Sequence, residues 1–162
     1  MKKKYEDIFI SLDPGFDSMK VVLNGLFFKF PFNVEPTDEK HFADSFVTDK
    51  FYLYRNDELR TWRVGEYARD LVFQNKSEKE ISERMEAFYS EDRFLSQEFV
   101  IAVETAIILA LLEYEKILAG RIAKGEKVEP FNIDEIEKHN FYLMVALPHK
   151  FREKYQIPVT ER

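Results

Sequence analysis

The chain contains no cysteine, which removes disulfide frameworks and every thiolate-based metal or redox site from consideration. Its three histidines, His41, His139 and His149, are scattered without metal-ligand spacing. Long apolar runs are missing as well: the longest uninterrupted ones, residues 106–112 and 141–147, are far too short to cross a bilayer. The basic start Met1-Lys2-Lys3-Lys4 leads into Tyr5-Glu6-Asp7 rather than an apolar stretch, so it does not read as a signal peptide. The cytoplasm is the expected location. Positive charge is not in excess, for the net charge is −6 and the pI about 5.2. That balance argues against direct partners of the nucleic-acid or membrane class held by broad electrostatics. Internal repeats and low-complexity segments are absent from the sequence.

What is present suits a packed domain. A chain of 162 residues, 45% apolar and with sixteen phenylalanines, matches one domain or one lobe of a larger two-lobed protein. At this length roughly 68–70% of the unfolded surface can be buried, so a core needs no covalent staple.

The hydrophobic pattern orders the elements. Residues 7–12 alternate as a strand with Ile8, Ile10 and Leu12 on one face. Pro14-Gly15 breaks it, and residues 19–23 form a second strand stopped by Asn24-Gly25, the strongest short hairpin signal in the chain. Residues 26–32 continue as a third, giving a three-stranded meander that requires a covering layer. Residues 33–50 are polar and mixed, a loop or small insertion. A second hairpin is expected from residues 51–55 and 60–64, so the inserted region extends to about 65. Trp62, Tyr52 and Tyr54 read there as cross-strand packing residues rather than base-stacking ones. A short helix is expected over residues 66–71. Ser77-Glu78-Lys79-Glu80 has the form of a capping box opening a further helix. The next helix, residues 96–119, is apolar on nearly every side and so reads as buried between layers, with Gly120 as its end or a weak point beyond which helical character persists to Lys124. Residues 141–147 form a continuous apolar run closed by Pro148, the pattern of a parallel strand covered on both faces. The sum is an α/β lobe with a mixed sheet backed by helices.

One loop carries chemistry. Asp13-Pro14-Gly15-Phe16-Asp17-Ser18-Met19-Lys20 joins the first two strands. Gly15 removes a side chain where backbone must approach a ligand, and successive N–H groups in such a turn can form an anion-binding nest. Ser18 adds a hydroxyl donor, and Lys20 can meet a phosphate as a point charge. Asp13 would repel a phosphate directly, so its sensible role runs through Mg²⁺ and its waters. This is neither a Walker loop nor a dinucleotide fingerprint.

The strand-loop-strand from Ile8 to Val22 resembles the first phosphate loop of the actin-like ATPases, and within that superfamily it is most similar to the ParM-like plasmid-segregation proteins and their archaeal relatives. Two further segments resemble that family in the same order. They are Trp62-Arg63-Val64-Gly65-Glu66-Tyr67-Ala68 and Leu143-Met144-Val145-Ala146-Leu147-Pro148. The resemblance implies a ribonuclease H-like, actin-type fold of which residues 1–162 are the N-terminal lobe, the second lobe lying outside this chain. It also implies a filament-forming protein that binds ATP or GTP with Mg²⁺, self-associates into filaments or dimers, and acts in plasmid or DNA segregation through a DNA-bound adaptor protein. By it, Gly15, Phe16, Asp17 and Ser18 would line the phosphates, Lys20 would be the phosphate-contacting lysine, and Asp13 would direct the metal through water. Asp17 departs from the many relatives with a small or neutral residue there, because a carboxylate repels phosphate unless it faces solvent or metal. No segment after Pro148 resembles the second phosphate loop, the adenosine pocket or the water-positioning acid. The resemblance therefore assigns ATPase activity to an intact two-lobed protein and no catalytic residue to this chain. Two other readings stand beside it: a non-catalytic self-association or partner-binding module, and a sugar or acyl kinase lobe. The kinase reading ranks last because the longer Gly-rich first loop of such kinases is missing.

Overall fold

The computed structural model describes residues 7–15, 18–31, 33–37, 52–55, 60–65, 77–80 and 91–146. Among them run seven strands, β1 (Asp7–Pro14), β2 (Ser18–Leu23), β3 (Leu26–Pro31), β4 (Val34–Thr37), β5 (Tyr52–Arg55), β6 (Thr61–Val64) and β7 (Asn140–Val145), with one long helix, α1 (Gln97–Ala123). Short 3-10 helices at Glu91–Leu95 and Ile133–Lys138 flank the helix in sequence.

The main sheet has the order β3-β2-β1-β7. Alternation in β1 and β2 drives one face of it into the core. Ile8, Ile10 and Leu12 of β1, and Met19, Val21 and Leu23 of β2, are all buried. Each such side chain, fully removed from water, contributes about 1.5–3 kcal/mol of transfer free energy. β1 pairs antiparallel with β2, and β2 antiparallel with β3. The β2–β3 turn is left-handed at both central residues, Asn24 at φ 44° and Gly25 at φ 83°, the geometry that a two-residue hairpin requires. Asn24 also ties the turn down. Its Oδ1 accepts the Phe9 N–H at 2.9 Å, and its Nδ2 lies 3.2 Å from the hydroxyl of Tyr114 on α1.

β7 lies parallel to β1, with Ile8 opposite Phe141 and Leu12 opposite Val145. A parallel partner cannot be reached by a tight turn, and α1 supplies the crossover. The helix starts where sequence pattern places it, at Ser96, whose hydroxyl accepts the Phe99 N–H at 3.1 Å. Gly120 does not end it. The helix continues three residues further and closes in a left-handed Gly125 at φ 83°, with Gly125 N–H bonded to Ile122 O and Glu126 N–H to Arg121 O. That pair of bonds is the Schellman arrangement, which needs a left-handed residue after the cap. Gly120 stays helical because an isolated glycine costs only about 1 kcal/mol against alanine, less than the burial of Leu111, Tyr114 and Leu118 on the same helix supplies.

One face of α1 packs on the sheet through Phe99, Ala102, Ala106, Ala110 and Leu118, among others. Its other side exposes Ile108 and Ile117 among the described residues, so the expected burial between two layers appears here on one side only. No helix among the described residues is long and apolar enough to cross a membrane.

β4, β6 and β5 form a second, antiparallel sheet in that order. The β5–β6 pairing matches the second hairpin read from sequence. Residues 33–50 read as a loop or small insertion, and β4 within them is a strand of this second sheet that Pro36 and its acidic neighbour Glu35 disguise in the sequence. Among the described residues the strand pairs with β6 alone, and an edge strand is where a proline is tolerated in a sheet. Val34, Trp62 and Val64 join the same apolar core as the main sheet. The capping box is also present, with the Ser77 N–H and hydroxyl both donating to Glu80 Oε2. The helix expected over residues 66–71 lies outside the described residues, as do His149 and the basic stretch 150–154.

The far face of the main sheet is the surprise. Phe9, Val22, Phe27, Tyr142 and Met144 stand exposed on it, Phe9 stacked on Tyr142 with ring centroids 4.8 Å apart. Sequence pattern makes β7 a strand covered on both sides. Among the described residues it is instead an edge strand with Phe141 to Met144 exposed. Apolar residues on both faces record a preference for burial, but the cover must come from elsewhere.

Candidate functional site

The carboxyl ends of parallel strands are where open α/β sheets bind ligands. β1 and β7 end together here, since the Ala146 N–H extends the ladder to Leu12 O at 2.7 Å. The next residue of β1 is Asp13. Its cross-strand partner on β2 is Lys20. Both side chains point away from the core, and the Lys20 ammonium donates to Asp13 Oδ2 at 2.9 Å. With side-chain exposures of 46% for Lys20 and 57% for Asp13, this ion pair is worth at most about 1 kcal/mol to stability. An acid and a base set side by side on an open strand end hold little folding energy and remain free to exchange partners.

The hairpin closes on itself through Gly15. Its N–H lies 3.0 Å from Asp13 O and 3.1 Å from Ser18 O. A Cβ built at Gly15 would come 2.9 Å from the Ser18 carbonyl oxygen. The glycine is therefore required by the turn itself, and its N–H is spent inside the hairpin rather than offered to a ligand. Ser18, read from sequence as a hydroxyl donor, is buried. Phe16 and Asp17 lie outside the described residues. Of the residues assigned to phosphate and metal, the structure brings Asp13, Gly15, Ser18 and Lys20 to one strand end, and among these described residues Asp13 and Lys20 present charge to solvent.

A residue absent from the sequence reading supports this hairpin from below. Arg93, in the 3-10 helix before α1, is buried and donates from Nη2 to the Pro14 carbonyl at 2.8 Å. Its guanidinium sits 4.7 Å from the centre of the Phe94 ring, and Phe94 meets Phe99 edge-on at 5.2 Å. Burial lowers the Arg93 pKa from its usual value, without bringing an arginine near neutrality. Nothing in the run Glu91-Asp92-Arg93 distinguishes this arginine from a solvated one. Only the contact across 79 positions does.

The residues fit a magnesium-bound phosphate in their donor set: one exposed carboxylate for a hydrated hard cation, and one exposed ammonium for the anion. Among the described residues there is no group of three His, Cys, Asp or Glu side chains that would hold a metal ion on its own.

No protein-family model matches the chain, and no curated protein matches it. Solved structures do. The chain is similar to apo psk41 ParM, at TM-score 0.52 and 18% identity over 95% of this chain and 40% of that one. It is similar to a pCBH ParM non-polymerisable quadruple mutant, at TM-score 0.55 and 14% identity over 96% and 38%. It is also similar to the ParM of a 15-stranded filament from Clostridium botulinum, at TM-score 0.50 and 14% identity over 97% and 39%. At these identities the likeness is one of fold: the chain has the α/β fold found in ParM actin-like proteins. It spans about 40% of the length of the ParM chains it matches.

Proposed function

We propose that this chain is the N-terminal, ribonuclease H-like lobe of an actin-like, filament-forming nucleotide-binding protein of the plasmid-segregation kind, working in the cytoplasm. In this reading the meander β1-β2-β3 presents the first phosphate loop, and residues 33–65 carry a small inserted sheet. The second lobe would close on the same nucleotide, and a DNA-bound adaptor would connect the filament to its cargo.

One observation carries the reading: Asp13 and Lys20 paired at 2.9 Å on the carboxyl end of β1, beside the end of β7. Mg·ATP or Mg·GTP would supply the divalent charge and the phosphate anion that this pair is suited to divide. Lys20 would hold a phosphate oxygen, and Asp13 would orient the metal's water shell, so that each partner of the present ion pair keeps an opposite charge. Gly15 and Ser18 would set the hairpin's shape, with Phe16 and Asp17 completing the loop between them. The chain provides one jaw of such a site, so weak nucleotide binding and negligible turnover are expected of it alone.

Amide chemical shifts of the 15N-labelled chain during titration with Mg·ATP and Mg·GTP test the reading. Shifts centred on Gly15, Ser18 and Lys20, saturating in the millimolar range, are the expected result. No perturbation in that region at millimolar nucleotide refutes it.

A second reading, a non-catalytic self-association module, is favoured by the exposed apolar face of Phe9, Val22, Phe27, Tyr142 and Met144. Contiguous apolar surface of this kind marks an association surface. The two separate on nucleotide dependence: light scattering that rises with chain concentration but is indifferent to Mg·ATP supports the module.

A further inference from the structure

Arg93 is spent in an unusual place. Burying a guanidinium is costly unless strong hydrogen bonds compensate it, and a surface position lay open to any residue of a short 3-10 helix. Here it donates to the backbone carbonyl of Pro14, which sits between Asp13 and Gly15. The peptide on one side of Pro14 carries Asp13, and the next begins the hydrogen-bonded closure of the hairpin at Gly15. Fixing this carbonyl therefore fixes the torsion between the acid of the ion pair and the turn.

The helix orientation adds to this. Arg93 lies three residues before the Ser96 cap, so α1 begins at the hairpin end of the sheet. It then runs back toward the β2–β3 turn, where Tyr114 meets Asn24. The positive end of the helix dipole and the Arg93 charge thus lie at the same end as Lys20. All three favour an anion there.

Resting on the phosphate-binding reading above, we infer that Arg93 is a positioning residue of the 13–20 hairpin, holding Pro14 so that Asp13 and Lys20 meet a magnesium-bound phosphate in register. It touches neither phosphate nor metal.

The test compares the unmutated chain with Arg93→Gln, Arg93→Lys and Leu118→Ala. Leu118 is a buried residue toward the opposite end of α1 and serves as a control for general loss of stability. Mg·ATP affinity is read from amide shifts, and the Gly15 amide exchange rate is read without nucleotide. Arg93→Gln is expected to weaken Mg·ATP at least fivefold and to speed Gly15 exchange at least tenfold relative to amides in the middle of α1. Arg93→Lys, which keeps charge and a donor, recovers at least half of both losses on a logarithmic scale and covers the case in which the glutamine variant does not fold. Leu118→Ala leaves both readouts at the unmutated level while the protein remains folded. Native affinity in Arg93→Gln, or an equal loss in Leu118→Ala, overturns the inference and leaves the phosphate reading standing. If the unmutated chain does not bind Mg·ATP at all, the phosphate reading fails and this inference falls with it.

Discussion

Lys20→Ala is expected to weaken Mg·ATP binding roughly ten- to a hundredfold while leaving the unfolding free energy within about 1 kcal/mol of the parent. The two effects separate because Lys20 does two different things. In the free chain it pairs with Asp13 at an exposed strand end, where solvent screening and side-chain entropy cancel most of the attraction. Against a phosphate, in the proposed role, it would make a charge-assisted hydrogen bond worth about 1.5–3 kcal/mol, and no other exposed cation among the described residues is the cross-strand partner of Asp13. The next cationic side chain in that cross-strand row, Lys29 of β3, lies one strand further from Asp13. Isothermal denaturant unfolding and the nucleotide titration, run on the same variant, check both halves. A fall in stability of several kcal/mol with unchanged affinity would assign Lys20 to the fold instead.

Gly15→Ala is expected to destabilise the chain although glycine-to-alanine changes commonly do the reverse. The added Cβ would sit 2.9 Å from the Ser18 carbonyl oxygen, and that oxygen is backbone already engaged by the Gly15 N–H. Overpacking of this kind costs about 1–3 kcal/mol. Alanine's smaller unfolded-state entropy returns only about 0.4–1 kcal/mol. The balance is a net loss of up to about 2.6 kcal/mol, and a loss of about 1–2 kcal/mol within it lowers Tm by roughly 2–8 °C for a domain of this size. Gly120 provides the internal contrast. It lies in α1 with nothing within 4 Å of a built Cβ, so Gly120→Ala gains about 0.4–1 kcal/mol by the same entropic term without the clash. Thermal melts of both variants decide the matter, and a stabilised Gly15→Ala protein would contradict the closed hairpin.

Much of the fold is legible in the sequence wherever one physical preference acts locally. Period-two alternation places Ile8, Ile10 and Leu12 in the core because a strand has only two faces. Asn24-Gly25 fixes the β2–β3 register because few other residues accept left-handed torsions at two successive positions. Ser96 marks the start of α1 because its hydroxyl satisfies an otherwise orphaned N–H.

The features that escape depend on distant partners or on competition between signals. Gly120 and Gly125 are equal as letters, so the sequence leaves the end of α1 open between Gly120 and Lys124, and only the bonds at Gly125 and Glu126 place it at the later position. Pro36 argues against a strand unless that strand is known to be an edge. Phe141 to Met144 announce cover on both faces, and the described structure leaves them at an edge. The site divides in the same way. Asp13 and Lys20 can be matched across a hairpin by counting, whereas Arg93 reaches Pro14 from far along the chain. Gly15 stands out in the sequence as a breaker, but the closure of the hairpin by its N–H, bonded to Asp13 O and Ser18 O, is visible only in the structure.

The central claim is that the strand end at Asp13 and Lys20 recognises phosphate, and its most direct test separates phosphate from nucleoside. Magnesium tripolyphosphate and adenosine are titrated separately into the 15N-labelled chain. The account predicts that tripolyphosphate reproduces the Mg·ATP shifts at Gly15, Ser18 and Lys20, and that adenosine leaves those amides unmoved. Shifts there with adenosine and none with tripolyphosphate would contradict it.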